Sequence, residues 1–360
     1  MLALRLARGS RPAVQVRRLL VAAASAGTGF LLLYVLAEAT DRPAGSFPRL
    51  LWALVPLAAT VQFAVAVART DPATRPREGM DAAGLGPVRL TLAAAVSTAV
   101  ACTLGCALAL AAFLHLRGDL AGLPFDGAAV RMLHADRPLP VAAALTLLAL
   151  VPLTASLTTA LALRPRPPHA GLSPQTGVPW GVAITACGLT VLAYAGTGGP
   201  AVPAGWTLIA AGLALAGPGL AYACGTLVQA VRPGALRLLA GRSLQEEAPR
   251  IGRPLGVLCA VGAATLTALA ARGQDGPLTP LGPLTGPAGL LVALCAAATL
   301  LTSAVESRQA RYAVRATLAG LGTPGTVLRT AATVRAVALL AGCVPLVWGV
   351  AQLTSLALTR

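Results

Sequence analysis

Nine apolar stretches, each of about 20 residues, constrain this 360-residue chain more than any other feature. They lie at 19–38, 50–68, 88–114, 140–163, 179–196, 205–231, 255–271, 288–304 and 333–358. A helix needs about 20 apolar residues to cross the hydrocarbon core of a bilayer. Only 11% of the residues are charged, whereas a soluble domain has about a quarter. The sequence therefore predicts an all-α, polytopic integral membrane helical bundle with about nine (eight to ten) transmembrane helices.

The arginines predict how this bundle is oriented. All 28 basic residues are arginine, and they cluster in the segments between the apolar stretches. Segments on the side of the N-terminus hold 21 of the 28, and the opposite segments hold the other 7. Because basic residues are retained on the cytoplasmic side, we expect a multi-pass cell-membrane protein with a cytoplasmic N-terminus. Clusters of this kind do not form a continuous basic stripe, so no nucleic-acid partner is expected.

The first apolar stretch has an alternative explanation. A basic N-terminus, an apolar region and the small-residue triplet Ala37-Glu38-Ala39 are also features of a cleavable signal peptide. The apolar region is about 18 residues long, which exceeds the usual length of about 7–15 in signal peptides. A retained helix is therefore the preferred interpretation, with cleavage as the alternative.

The residues within the spans offer little chemistry. A Walker A loop needs a lysine to reach the phosphates of ATP, and the chain contains none. No nucleophile stands beside a base as in an enzyme, so no catalytic residue, metal or cofactor is predicted. Cys102 and Cys106 share a helix face without a nearby His or carboxylate, so packing explains them better than a metal site. Arg335 lies at the cytoplasmic end of its span, where its side chain can extend towards water.

Two parts of the chain resemble each other. A Leu-Arg-Leu leader begins at residues 4 and 236, and an Ala-Gly-Leu-Gly motif begins at residues 83 and 319. The two spacings are nearly equal, and internal repeats are common in transporters. We therefore predict a first repeat at 1–163, two connecting helices at 164–231 and a second repeat at 232–360. The second repeat is one helix short, so either that helix is absent or the run 333–358 forms a re-entrant hairpin at Pro345.

The segment before the last span combines a basic helix with a sharp turn. Three arginines at helical spacing share one face: Arg308, Arg311 and Arg315. That face can meet water, acidic lipid or protein. Gly320 and Gly322 can end the helix, and Pro324 favours the first turn of the next one. The residues alone leave two interpretations open: a rigid elbow presented to the cytoplasm, or a plain amphipathic connector.

Together with Glu306 and the motif Leu318-Ala319-Gly320-Leu321-Gly322-Thr323-Pro324, this segment resembles the FtsX-like permease domain of ABC transporters. In that family, a helix with acidic and basic residues leads into an Ala-Leu-Gly elbow before a long membrane helix. The leader 235–244 resembles the short helix that precedes the domain's first span, and the first repeat is similar more faintly. Family members usually have a sizeable extracytoplasmic domain, whereas the outer loops here are all short.

The resemblance implies a permease subunit that moves when a separate ABC ATPase, itself a dimer, hydrolyses ATP at the cytoplasmic face. The elbows would dock that ATPase through Arg308, Arg311, Arg315, Leu318, Gly320, Leu321, Gly322 and Pro324 in the second repeat and Met80, Leu85, Gly86 and Pro87 in the first. Short outer loops favour export or extraction of a lipophilic or peptide-like substrate. Membrane lipid is an expected partner, and a second permease chain is left open. The alternative is a multi-pass protein without ATP coupling, such as a secondary carrier or an immunity or scaffold protein.

Overall fold

The computed structural model describes residues 12–41, 46–71, 87–119, 127–133, 135–164, 177–195, 201–230, 234–272, 285–310 and 325–359. Over these ranges the chain is helical, apart from turns, and has no β-strand. The helices are α1 (Pro12–Asp41), α2 (Ser46–Thr70), α3 (Pro87–Arg117), α4 (Val141–Leu163), α5 (Gly177–Ala195), α6 (Val202–Ala230), α7 (Ala235–Arg272), α8 (Thr285–Ala310) and α9 (Gly325–Thr359). In the described part of the chain, nine helices are long and apolar enough to cross a membrane. This confirms the predicted all-α membrane bundle.

The helix α7 is longer than its apolar stretch. The apolar stretch begins only at residue 255, after a polar connector in which the leader 235–244 resembles a short helix, whereas α7 continues from Ala235 through Pro249 and Pro254 without a break. Three side chains at four-residue spacing on this part of α7 are buried: Ala240, Leu244 and Ala248. Because this face packs against other helices, burial stabilises the helix although each proline removes one backbone hydrogen bond.

The structure of the last helix decides between the two alternatives that the sequence leaves open for the second repeat, an absent helix or a re-entrant hairpin. α9 passes through Pro345 as a single helix, so the run 333–358 is not a re-entrant hairpin. A continuous helix satisfies nearly all of its backbone hydrogen bonds internally, whereas the turn of a re-entrant hairpin needs partners from the surrounding protein or water. The division into repeats at 1–163 and 232–360 stays a prediction.

The first compact unit comprises Met1–Pro167 and Leu284–Cys295. Within it, α1 packs closely against α3 because Gly105 lets the backbone of α1 approach near Ala22 and Ser25. Phe30 of α1 and Phe113 of α3 meet edge to face, with ring centroids 5.6 Å apart. The hydroxyls of Thr28 in α1 and Thr60 in α2 form a buried hydrogen bond of 2.7 Å. One face of α4 is buried in this unit: Ala144, Leu148, Val151, Ala155 and Thr159.

The second compact unit comprises Pro168–Pro283 and Ala296–Arg360. In this unit, α5 packs against α6 and α6 packs against α7 at glycine residues. A Cβ on Gly181 of α5 would lie 2.6 Å from backbone atoms of α6, and one on Gly225 of α6 would lie 2.9 Å from the Gly241 carbonyl oxygen of α7. Gly217 and Gly252 meet more closely still. These glycines thus lie where the helices approach each other most tightly.

The outward faces of several helices are apolar. On α3 a stripe at four-residue spacing is at least half exposed: Val88, Leu92, Val96, Val100, Leu104 and Leu108. On α9 the corresponding set is Val337, Leu340, Val344 and Trp348. Exposed aliphatic faces of this length are unfavourable in water and favourable in hydrocarbon. We assign these faces to lipid.

Candidate functional site

Most of the predicted elbow residues lie outside the part of the chain that the structure describes. These are Met80, Leu85, Gly86, Arg311, Arg315, Leu318, Gly320, Leu321, Gly322 and Pro324. Arg308 lies in the last turn of α8 and Pro87 is the first residue of α3, but their side chains also fall outside the described set. Proline suits a first helical turn because it has no N–H to leave unpaired. The grouping of these residues into docking elbows therefore stays a prediction.

An ion pair joins α1 and α2 at their predicted cytoplasmic ends. The Arg18 guanidinium donates to a carboxylate oxygen of Asp71 over 2.6 Å, and the Asp71 side chain is only 9% exposed. Beside it, Arg17 donates to the Thr70 hydroxyl over 3.1 Å. Such pairs neutralise charge where two helices leave the apolar region, and they fix the spacing of the helix ends.

A small cleft lies next to this ion pair, among α1, α2 and α3 of the first unit. Arg18 and Asp71 line it together with the hydroxyl-bearing residues Ser97 and Thr98 of α3. Its volume of about 20 Å³ admits about one water molecule. The cleft is therefore too small for an organic substrate in this conformation.

A second ion pair joins α7 and α9. Arg335 donates to both carboxylate oxygens of Glu247 over 3.4 and 3.5 Å, and the two side chains are 16% and 15% exposed. The sequence instead suggests that the Arg335 side chain can extend towards water. The difference arises because α7 is helical from Ala235 through residue 254, which places Glu247 beside α9. Sequence reasoning missed this partner because Glu247 lies within the predicted connector.

The length of α7 determines where its polar half lies. Its 38 residues span about 57 Å at 1.5 Å per residue, against a hydrocarbon core of about 30 Å. Even at the largest common tilt of about 40°, the helix is about 44 Å tall, so at least about 14 Å extends beyond the core. The apolar half, 255–271, fits the core. The arginine-bearing half, 235–253, must therefore form the extension.

The second half of α6 packs against the arginine-bearing half of α7. α5 begins at Gly177, level with Leu215 of α6, where an added Cβ would lie 2.7 Å from the Leu215 carbonyl oxygen. α6 continues for 15 residues beyond Leu215, which is about 22 Å. Along this length it packs antiparallel to α7 through the contacts of Gly217 with Gly252 and of Gly225 with Gly241. Residues 215–230 and 235–253 thus form an antiparallel helical pair.

The outward face of the arginine-bearing half of α7 is basic. Three arginines of α7 are exposed on it: Arg242, Arg250 and Arg253. The one exposed carboxylate among them is Glu246. Near the far end, Leu238 and Leu239 are 42% and 44% exposed, and Leu227 of α6 is 64% exposed. The surface combines positive charge with apolar side chains at its distal part.

The opposite end of the first unit is closed by a short folded segment after α3. Arg117, only 4% exposed, donates to the Arg137 carbonyl oxygen and lies 3.4 Å from a carboxylate oxygen of Asp119. Gly118 has a φ of +92°, which favours glycine, and its N–H bonds the His115 carbonyl to end the helix. Asp119 of this segment therefore forms an ion pair with Arg117.

The cysteines of α3 are buried within the first unit. Cys102 is fully buried and Cys106 is 5% exposed. Throughout the described ranges, no group of three or more His, Cys, Asp or Glu is arranged to hold a metal ion. The close approach of Gly105 to α1 explains this part of α3 as a packing surface.

Comparison with known proteins adds no relative: no family model, no curated protein and no solved structure matches this chain.

Proposed function

We propose that this chain is the membrane-spanning permease subunit of an ABC transporter, of the FtsX-like kind. The observation that most supports the proposal is the segment from the last turn of α8 to the start of α9, in which three spaced arginines precede the Leu-Ala-Gly-Leu-Gly-Thr-Pro motif. Long apolar helices flank this segment on both sides. The sequence predicts here a basic helix and a glycine-rich elbow, which together would form a compact lever for a soluble partner.

The energy would come from a separate ATPase. The chain has no lysine with which to build a Walker A loop. An ion-coupled mechanism has little support, because Asp71 lies just after the end of α2, Glu247 lies in the polar half of α7, and both carboxylates are ion-paired with arginines. A dimeric ATPase bound at the arginine-rich, cytoplasmic face is the partner that fits this chemistry.

The proposed substrate class rests on two features, the short outer connections and the exposed aliphatic faces of the helices. The outer connections are short, so they offer no domain to receive a substrate from a soluble binding protein. The described helices present long aliphatic faces to lipid. We therefore propose export or extraction of a lipophilic or peptide-like molecule across the cell membrane.

The test is co-purification with the ATPase encoded beside this chain. The wild-type pair should co-purify, and the chain should change the ATPase rate. The double variant Arg311→Glu with Arg315→Glu should separate the two proteins. The matched control is Arg131→Glu with Arg137→Glu, which makes the same charge change on exposed residues of the opposite face. Absence of an adjacent ATPase, or association indifferent to the elbow changes, would refute the proposal.

A further inference from the structure

We propose that Arg250 and Arg253 of α7 form a binding site for one acidic phospholipid. Its phosphate would bind the two guanidinium groups, and its acyl chains would lie along the apolar half of the helix. Both arginines are exposed, and they are three residues apart, so their side chains leave neighbouring positions on the helix surface. The bilayer itself supplies the occupant, because α7 is long and apolar enough to cross a membrane.

The first step is the depth of the two arginines. The apolar half of α7 begins at residue 255. Along the helix axis, Arg253 lies about 3 Å and Arg250 about 7.5 Å from that residue. The headgroup region is about 5–7 Å thick on each side of the hydrocarbon core. Because arginine side chains are long and keep their charged ends at the interface, both guanidinium groups can reach the phosphates of one leaflet.

The second step is the charge around them. The acidic residues of α7 are Glu246 and Glu247, and Glu247 is already ion-paired with Arg335. Among the described residues, no ion pair engages the guanidinium of Arg250 or Arg253. Two arginines and one remaining glutamate leave this part of the helix with a net charge of +1. A lipid phosphodiester carries the single negative charge that balances it, and its oxygens accept hydrogen bonds well from guanidinium groups.

The third step is the surface on which the acyl chains would lie. Val257, Val261 and Ala268 follow the two arginines on the same side of α7, at spacings of four and seven residues, and each is at least partly exposed. The helix carries no charged residue over this length. An acidic protein would match the arginines but not an apolar strip at the depth of the hydrocarbon. The combination therefore selects a lipid, whose headgroup and chains meet both parts of the surface.

The experiment measures lipid preference beside this site by fluorescence quenching in vesicles. The reporter Val257→Trp is placed in the whole chain after its four native tryptophans are changed to phenylalanine. Quenching by brominated phosphatidylglycerol is compared with quenching by brominated phosphatidylcholine, which gives the relative association constant of the two lipids at the reporter. Phosphatidylglycerol should be preferred at least about fivefold, because each arginine near an anionic surface adds roughly that factor. Added salt should reduce the preference.

Three sets of variants test which arginines are responsible. Arg250→Gln with Arg253→Gln should lower the preference to about one, whereas Arg250→Lys with Arg253→Lys keeps the charge and should retain most of it. The matched control is Arg242→Gln, which removes an exposed arginine of the same helix. Arg242 lies about 12 Å beyond Arg250 along the axis, so one phosphate cannot contact both, and this variant should keep the preference. Each variant is first checked for a single monodisperse peak, so that misfolding is separated from lost lipid binding.

Several results would overturn the inference. One is the absence of a preference at position 257 when both arginines are present, and another is a preference that survives the glutamine pair. If Arg242→Gln lowers the preference as much as that pair does, the attraction comes from the diffuse charge of the helix and not from a site. A second reporter, Leu104→Trp, stands on the lipid-facing side of α3, where Leu104 is 64% exposed. An equal preference at that reporter would also contradict a local site. None of these measurements involves an ATPase, so their failure leaves the proposed function standing.

Discussion

The ion pair between Glu247 and Arg335 should contribute measurably to the stability of the second unit. Glu247→Ala leaves the Arg335 guanidinium 16% exposed and without this carboxylate. Two unit charges at about 3.5 Å attract by roughly 5 kcal/mol at an effective dielectric constant of 20, before the cost of desolvation. Removing one partner of a fully buried pair costs about 3–5 kcal/mol. Because water still reaches about a sixth of each side chain, we expect the lower range, about 2–3 kcal/mol.

The assay is reversible unfolding in mixed detergent and SDS micelles, which yields a free energy of unfolding for each variant. The matched control is Glu246→Ala, an exposed neighbour on the same helix, which should change that energy by less than about 0.5 kcal/mol. The double variant Glu247→Ala with Arg335→Ala should be more stable than the sum of the single losses predicts, with a coupling of about 2 kcal/mol. Equal effects of the two glutamate changes, or strict additivity in the cycle, would show that the pair contributes nothing.

Three further predictions concern packing, hydrogen bonding and topology. Gly181→Ala should destabilise the chain by at least about 2 kcal/mol, because the added Cβ would lie 2.6 Å from backbone atoms of α6. The control is Gly349→Ala, where an added Cβ has no atom within 4 Å. It should be nearly neutral in the same unfolding assay. Thr60→Val removes a 2.7 Å hydrogen bond to Thr28 and should cost about 0.6–1.7 kcal/mol of stability. Thr103→Val should cost less, because the Thr103 hydroxyl bonds a carbonyl of its own helix. Equal losses for the two variants would contradict a role of the Thr28–Thr60 bond in joining the helices. Arg131→Cys should react with a membrane-impermeant maleimide in intact cells, and Arg242→Cys only after permeabilisation; the reverse pattern would invert the predicted topology.

The spans could be predicted from the sequence because a membrane crossing leaves a local signal. A run such as 140–163 is apolar over the required length whatever it packs against, and α4 occupies Val141–Leu163. Helix boundaries outside the core leave no such signal. The polar residues of 235–253 predict a connector with a short leader helix, yet they form one helix with the following span because their buried face packs along a neighbouring helix. Only the tertiary contact decides that outcome.

The candidate site was predictable in part. Arginine clusters indicate the cytoplasmic face, because their signal depends on sequence position alone. The partner of Arg335 could not be predicted, since it depends on which faces of α7 and α9 meet. The same holds for Gly217 and Gly252, which are far apart in sequence and adjacent in space. The elbow residues, such as Arg311 and Gly322, lie outside the described ranges, and their role stays a prediction.

The glycine contacts among α5, α6 and α7 also bear on how this chain can change over evolutionary time. Any base change at the first or second position of a glycine codon introduces a side chain or a stop. At Gly181, Gly217 and Gly252, every such side chain would meet the backbone of a neighbouring helix. The stripe of α3 from Val88 to Leu108 faces lipid and accepts many aliphatic exchanges at little cost. Sequence drift should therefore be concentrated on lipid-facing helices, while the three glycine-packed helices change least.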